Sequence, residues 1–171
     1  MDQRIPQYQG NEEAEHQELM VRILERTLIL VKPDGVKRRL SGKILTRFEE
    51  KGMKIVALKL LKLTTEKAEL HYSVHKEKPF FRDLVSYITS GPIIAAILEG
   101  NNCINATRNL LGATDGSKAQ PGTIRGDYSM GIEKNIVHAS DSPESYQHEF
   151  PIYFDKEEII EAQYGDEPHI Y

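Results

Sequence analysis

In this 171-residue chain, His138 is the residue whose sequence surroundings most favour a chemical role. It ends a short apolar segment. The tripeptide at residues 142–144, Ser-Pro-Glu, begins a helix well because it offers a serine cap, a first-turn proline and an acid. Helix N-termini favour phosphate, and a neutral imidazole is a nucleophile that needs no separate base at pH 7. Phosphate chemistry at a histidine is therefore one interpretation of His138, and an ordinary structural histidine is the alternative.

A guanidinium that could meet a phosphate is supplied by Arg125, within the segment 121–127 (PGTIRGD). The flanking Gly122 and Gly126 permit sharp backbone turns that would aim this side chain inward. Arginine is the preferred multidentate donor for phosphate because its planar fork matches the oxygens. The surrounding stretch, residues 112–131, is predicted to be a long loop, and such a loop is more often functional than accidental.

Two familiar binding patterns do not fit this sequence. The stretch 35–44 (GVKRRLSGKI) has six residues between its glycines where a P-loop has four, and isoleucine follows the lysine where Ser or Thr should bind Mg²⁺. His71 and His75 have the i, i+4 spacing of zinc proteases, but Tyr72 stands where that pattern needs glutamate. We therefore expect His71 and His75 to be solvated helix residues.

The elements that must position these side chains follow from hydrophobic periodicity. Residues 27–31 are a continuous β-prone run, which indicates a strand buried on both faces, and a turn signal follows at residues 33–35. Further strands are predicted at residues 53–63, 93–98 and 135–138, and helices from Ser41, from Thr65, after Pro79, over 105–111 and from Ser142. This order predicts an α/β sandwich, a sheet with helices packed on one face.

Composition places the chain among globular proteins, with 39% hydrophobic and 28% charged residues. The longest apolar run, residues 93–98, is too short to span a bilayer, and no secretory signal is recognised, so we expect a cytoplasmic protein with no membrane partner. The single Cys103 fits a reducing compartment. Six acids against two arginines in residues 1–25 carry the whole net charge of −4, so the balanced remainder does not indicate nucleic-acid binding.

Six short motifs occur in an order that resembles one family. They are residues 32–35 (KPDG), 71–72 (HY), 78–81 (KPFF), 90–92 (SGP), 121–127 (PGTIRGD) and 135–142 (NIVHASDS). Together they resemble nucleoside diphosphate kinase over about residues 26–160, which divides the chain into an acidic extension, 1–25, and a kinase domain, 26–171. The resemblance implies a ferredoxin-like βαββαβ antiparallel sheet with helices packed on it. It also implies a homo-oligomer (a hexamer is favoured and a tetramer is possible) and Mg²⁺ that accompanies the nucleotide.

The resemblance also implies roles for individual residues. His138 would take the γ-phosphoryl group of a nucleoside triphosphate and pass it to a nucleoside diphosphate in a ping-pong reaction. Glu149 would hydrogen-bond the imidazole and orient it, Ser140 would join that network, and Tyr72 would lie near the imidazole. Lys32 would place an ammonium on the transferred phosphoryl group, whose equatorial oxygens carry the charge.

Other side chains are implied to bind the nucleotide. Arg108, Thr114 and Arg125 would contact the α- and β-phosphates, and Asn135 would reach the sugar 3′-hydroxyl. Phe80 would stack on the base, which explains low base selectivity because every base has a π-face. No carboxylate cluster suggests a metal cage, so no metal-ligating residue is predicted and Mg²⁺ would arrive mainly on the phosphates.

Three departures from the family pattern qualify these expectations. Ala139 stands where glycine is common, which a backbone with negative φ would tolerate. Gly116 replaces a proline of a subunit-contact loop, which brings hexamer formation into question. Residues 1–25 have no counterpart in short family members, and we expect them to pack away from the active cleft. The alternative function is a non-catalytic nucleotide-binding regulatory scaffold with the same fold.

Overall fold

The computed structural model of the chain describes residues 24–161, so the predicted extension lies almost entirely outside the described residues. Four antiparallel strands form one sheet in the order β2-β3-β1-β4. The strands are β1 (Leu24–Val31), β2 (Lys54–Lys62), β3 (Pro92–Asn101) and β4 (Val137–Ala139). With its crossing helices this is the expected ferredoxin-like fold.

Seven α-helices connect and flank the strands within the described residues. They are α1 (Pro33–Lys37), α2 (Ser41–Glu50), α3 (Thr65–His71), α4 (Phe81–Thr89), α5 (Cys103–Leu111), α6 (Ile124–Tyr128) and α7 (Pro143–Tyr153). Ser142 caps α7, since its hydroxyl oxygen accepts a hydrogen bond from the Ser145 backbone N–H at 3.0 Å. None of the described helices has both the length and the apolar character that a membrane span requires.

Helices cover both faces of the sheet, so the expectation of one covered face is wrong. Residues 28–31 of β1 are fully buried, and successive side chains point to opposite faces. Leu28 and Leu30 pack with α3, α4 and α7, whereas Ile29 and Val31 pack with α2, α5 and α6. The uninterrupted apolar run of β1 already required this arrangement, because a strand with one solvated face alternates in polarity.

Two segments are more regular than the sequence indicated. Residues 33–37 form the short helix α1 instead of only a turn, because Pro33 occupies its first turn with Asp34 beside it. The predicted loop 112–131 contains a 3₁₀ turn, Gly116–Lys118, and the helix α6. Thr123 begins α6, since its hydroxyl oxygen accepts a hydrogen bond from the Gly126 N–H at 3.0 Å.

Candidate active site

His138 lies in the middle of β4, directly opposite Leu30 of β1. Its neighbours Val137 and Ala139 are buried, while the His138 side chain is 25% exposed. Ala139 adopts none of the positive φ angles found in the described residues, so the methyl group that replaces the common glycine is accommodated without strain. The strand thus presents one imidazole at the edge of the sheet.

A carboxylate holds one nitrogen of this imidazole. Glu149, on α7, places Oε2 3.0 Å from His138 Nε2, and the Ser140 hydroxyl donates to the same oxygen at 2.6 Å. Burial would raise the pKa of Glu149, but the hydrogen bonds and the nearby imidazole hold it at about 2. An ionised carboxylate can only accept hydrogen bonds, so Nε2 of His138 carries the proton and Nδ1 keeps its lone pair.

His71 completes this group of side chains, contrary to the expectation of a solvated residue. Its ring centroid lies 4.7 Å from that of His138 and 4.7 Å from that of Tyr72, and the residue is 3% exposed. Burial and the adjacent His138 lower the pKa of His71 to about 3, so the ring is neutral. We call His71, His138, Ser140 and Glu149 the imidazole cluster.

A sequence signal for the burial of His71 did exist. Ala68, His71 and Tyr72 have the i, i+3, i+4 spacing of one helix face, and all three are buried. His75 does not share that face, because α3 ends at His71 and His75 belongs to a separate 3₁₀ turn, Ser73–His75.

A second group gathers cations, and we call Lys32, Thr114, Arg125 and Asn135 the cation cluster. The buried Lys32 ammonium donates to Asn135 Oδ1 at 2.6 Å, and Asn135 Nδ2 donates to the Thr114 carbonyl at 3.0 Å. Burial and the nearby Arg125 lower the pKa of Lys32 to about 8. An ammonium held this way has donors left for an anion.

Arg125 is bonded mainly to the main chain. Its guanidinium donates to the carbonyls of Gly112 at 3.0 Å, Asn135 at 3.3 Å and Val137 at 2.8 Å, and the residue is 3% exposed. Burial and the nearby Arg108 lower the pKa of Arg125 to about 10. Three of the five N–H donors of this arginine are therefore used, one of them to join loop 112–131 to Val137 of β4, and two remain.

Backbone strain precedes the strand that carries His138. Ile136 has a φ of +70°, which is costly for a β-branched residue. Two contacts hold it: its N–H donates to Asp34 Oδ2 at 3.2 Å, and its carbonyl accepts from the Lys32 N–H at 2.8 Å. No sequence pattern predicted this role of Asp34, whose other oxygen accepts a hydrogen bond from the Tyr87 hydroxyl.

The remaining predicted residues lie around these clusters. Tyr72 contacts His71, and Arg108 lies half-buried on α5, close enough to Arg125 to lower its pKa. Phe80 is 46% exposed just before α4, with its ring 5.9 Å from that of His75. An exposed aromatic ring can take up a planar ligand. The structure thus unites most of the predicted polar residues in two clusters, places Tyr72 and Arg108 beside them, and leaves Phe80 outside both.

Close relatives share nearly the whole described region. A family model described as nucleoside diphosphate kinase matches residues 25–159. The nucleoside diphosphate kinase of Thermoplasma volcanium is 69% identical over 144 residues, which cover 84% of this chain and 98% of the relative. That of Thermoplasma acidophilum is 67% identical over 143 residues, covering 84% of this chain and 97% of the relative.

Solved structures agree with this assignment. A nucleoside diphosphate kinase from Halobacterium salinarum in complex with CDP has a TM-score of 0.84 and 43% identity, with 86% of this chain and 99% of that chain covered. A transition-state mimic of the Borrelia burgdorferi enzyme, with bound vanadate and ADP, has a TM-score of 0.82 and 34% identity over 86% of this chain and 96% of that chain. By sequence and by fold, the chain belongs to the nucleoside diphosphate kinase family.

Proposed function

We propose that this phosphotransferase moves the γ-phosphoryl group of a nucleoside triphosphate to a nucleoside diphosphate, with His138 as the covalent carrier. One observation carries the proposal: Glu149 holds Nε2 of His138 at 3.0 Å, which leaves the lone pair of Nδ1 available. A group that alternately accepts and releases a phosphoryl divides one exchange into two similar steps, so the first product must leave before the second substrate binds.

The chemistry at His138 balances without an additional base. In the first step Nδ1 bonds to the γ-phosphorus, the bond to the bridging oxygen breaks, and the diphosphate leaves with the electron pair. The phosphorylated ring keeps its proton on Nε2 and gains positive charge, which the Glu149 carboxylate stabilises. The second step reverses these events with a diphosphate as acceptor.

The cation cluster supplies the charge that the phosphates need. Lys32 is the residue proposed to neutralise the transferred group, and the two N–H donors that Arg125 retains, together with Arg108 and Thr114, would bind the other phosphates. Asn135 would bind the sugar 3′-hydroxyl, and Phe80, half-exposed, would stack on the base.

Magnesium enters this proposal as part of the substrate. Among residues 24–161, the metal-type donors that lie together are two imidazoles and one carboxylate, whereas Mg²⁺ prefers an octahedral set of oxygens. The residues present therefore do not fit a resident Mg²⁺ ion, and we propose that the cation arrives on the nucleotide phosphates.

Self-association is proposed through the β2 edge of the sheet. β2 is an edge strand that exposes the side chains of Leu58 (53%) and Leu60 (68%), and an edge strand with exposed apolar side chains invites pairing with another copy. A hexamer is favoured and a tetramer is possible. Gly116 does not loosen its loop, because its N–H donates to the Gly131 carbonyl at 3.0 Å, a bond that proline could not make.

The acidic extension is proposed to lie away from the nucleotide, because its charge would repel phosphates. Deletion of residues 1–23, which leaves β1 whole, should lower the melting temperature or change the sedimentation of the oligomer, and KM for nucleotides should hardly change. A large change in KM with intact assembly would contradict this proposal. The cytoplasmic location stays a prediction from the sequence.

A labelling experiment tests the proposed function. Full-length protein incubated with γ-labelled ATP and Mg²⁺ should yield an acid-labile, alkali-stable phosphoprotein, and His138→Ala should yield none while still binding ATP. His148→Ala is the matched control, because it removes an exposed imidazole from the same helix as Glu149. Initial-rate plots should be parallel. Nucleotide binding without any phosphoprotein would identify the chain as a regulatory scaffold instead.

A further inference from the structure

We propose that His71, His138 and Glu149 also bind a divalent transition-metal cation such as Zn²⁺, and that the bound cation and the phosphoryl group exclude each other. One ligand atom from each of these residues lies within 4.8 Å of the other two. Two imidazoles and one carboxylate are a donor set that zinc accepts, and it leaves a fourth position open. The exclusion, but not the binding, rests on the function proposed above.

Two of the three ligands are already spaced for one ion. His138 Nε2 and Glu149 Oε2 are 3.0 Å apart, and two donors on a tetrahedral zinc ion, with bonds of about 2.0–2.2 Å, are separated by roughly 3.3 Å. A cation can therefore take the place of the proton that these atoms share. The Ser140 hydroxyl donates to Glu149 Oε2 at 2.6 Å and would orient the carboxylate.

The third ligand is the group in the cluster that lacks a polar partner. His71 is 3% exposed, and its Nδ1 makes no hydrogen bond in the described part of the chain. A buried imidazole nitrogen without a partner is costly, and coordination of the ring would compensate for that cost. Closing the site requires the His71 ring to move by about 1–2 Å to reach zinc–nitrogen bonding distance, which breaks no hydrogen bond of Nδ1.

The same geometry determines how a metal ion enters the site and which metals the site prefers. The His138 side chain is 25% exposed, so an ion can enter beside it. Nitrogen ligands favour zinc and neighbouring transition metals over magnesium, so millimolar Mg²⁺ should not fill the site.

The exclusion follows from the proton balance of one imidazole. A cation bonded to Nε2 of His138 displaces the proton there, and a neutral ring then carries its proton on Nδ1, which has no lone pair to attack phosphorus. Conversely, a ring phosphorylated on Nδ1 cannot pass its Nε2 proton to Nδ1, so a metal could bind Nε2 only by expelling that proton to solvent and replacing the contact with Glu149 that stabilises the charged ring. Zinc would therefore act as a reversible inhibitor that strongly prefers the unphosphorylated enzyme.

Calorimetric titration of the metal-free, full-length protein with Zn²⁺, without nucleotide, tests the binding. We expect the wild type to bind one equivalent of Zn²⁺. The zinc affinity of His71→Gln should be at least tenfold lower. His148→Gln should bind like the wild type, because this variant removes an exposed imidazole outside the three ligands. Titration with Co²⁺ provides a second measurement, since four-coordinate cobalt absorbs strongly in the visible range. Melting temperatures verify that each variant is folded.

Equal zinc affinity of wild type and folded His71→Gln would overturn the site, and so would an octahedral cobalt spectrum. If His71→Gln does not fold, Glu149→Gln replaces it with the same expectation. Phosphorylated wild type should fail to bind zinc until the phosphoryl group is removed, and equal binding would overturn the exclusion. If no phosphoprotein forms, the proposed function fails, while titration of the unmodified chain still decides whether the metal site exists.

Discussion

The imidazole cluster and the cation cluster are built in different ways. In the imidazole cluster, His138 and Ser140 both contact a single oxygen of Glu149, and the nitrogen proposed to react remains unbonded. In the cation cluster, Arg125 donates to three main-chain carbonyls and Lys32 donates to an amide side chain. The first cluster orients the one ring that is proposed to react, whereas the second is proposed to attract anions and also holds loop 112–131 against β4.

The largest effects are expected for Lys32→Ala and Arg125→Ala, which should lose similar activity but differ in stability. Each should reduce kcat/KM by about 10²–10³-fold, the typical loss for one preorganised donor. Arg125→Ala should also lower the free energy of unfolding by roughly 2–4 kcal/mol, because buried carbonyls lose their donor. Calorimetric melting should show a drop of about 5–15 °C.

Arg108→Ala is the control for this pair, because Arg108 is also proposed to bind phosphate but lies half-buried. It should lose activity with little change in melting temperature. If Arg125→Ala melts like the wild type, the main-chain contacts of Arg125 do not stabilise the loop, and the double role of the cation cluster is wrong.

Within the imidazole cluster, Glu149→Gln should reduce kcat by about 10²-fold, the cost of a slightly misplaced reacting group. KM should stay within a few-fold, because Glu149 contacts the imidazole and is not among the residues proposed to bind the nucleotide. Single-turnover labelling of His138 separates this effect from slow product release. Ser140→Ala, which keeps the carboxylate, should lose less activity, and an equal loss would mean that the hydroxyl contributes as much as Glu149.

The cation cluster should also make the activity sensitive to alkaline pH. The pKa of Lys32 is about 8 instead of 10.5, chiefly because of burial, so kcat/KM should fall about tenfold per pH unit above 8 as the ammonium deprotonates. Lys32→Arg should remove this decline because guanidinium stays protonated. A decline that persists unchanged in Lys32→Arg would assign it to another group.

Protein stability should change in the opposite direction over the same range. The folded pKa of Lys32 lies below its unfolded value, so between about 8 and 10.5 the unfolded chain holds the proton and the folded chain does not. The cost of a buried ammonium, present below pH 8, is relieved across this range. The unfolding free energy of wild type should therefore rise relative to that of Lys32→Met.

The smallest effect is expected at Phe80, which lies outside both clusters. Phe80→Ala should raise KM for nucleotides by about fivefold, corresponding to ~1 kcal/mol of stacking, with kcat nearly unchanged. The increase should be similar for purine and pyrimidine nucleotides. Phe80→Tyr should retain the wild-type KM, and a loss of kcat in Phe80→Ala would place this ring closer to the reacting atoms than proposed.

Local patterns in the sequence determined several parts of this protein. The apolar run of β1 marked a strand buried on both faces, and Ser142 with Pro143 located the start of α7. Glu149 lies eleven positions after His138, and one strand end followed by one helix brings them together. Such features depend on hydrophobic period and capping, which act over a few residues and are therefore visible in the sequence.

The partners of the buried polar groups were decided only by the tertiary structure. The three acceptors of Arg125 are main-chain carbonyls, which every residue possesses, so no side-chain type in the sequence identifies them. Asp34 supports the strained Ile136 across 102 positions of the chain. His71 is buried because α3 packs against the sheet beside β4, where Tyr72 and His138 enclose it. Burial and hydrogen bonding at such distances depend on how the elements pack, and packing fixed the charge and orientation of these groups.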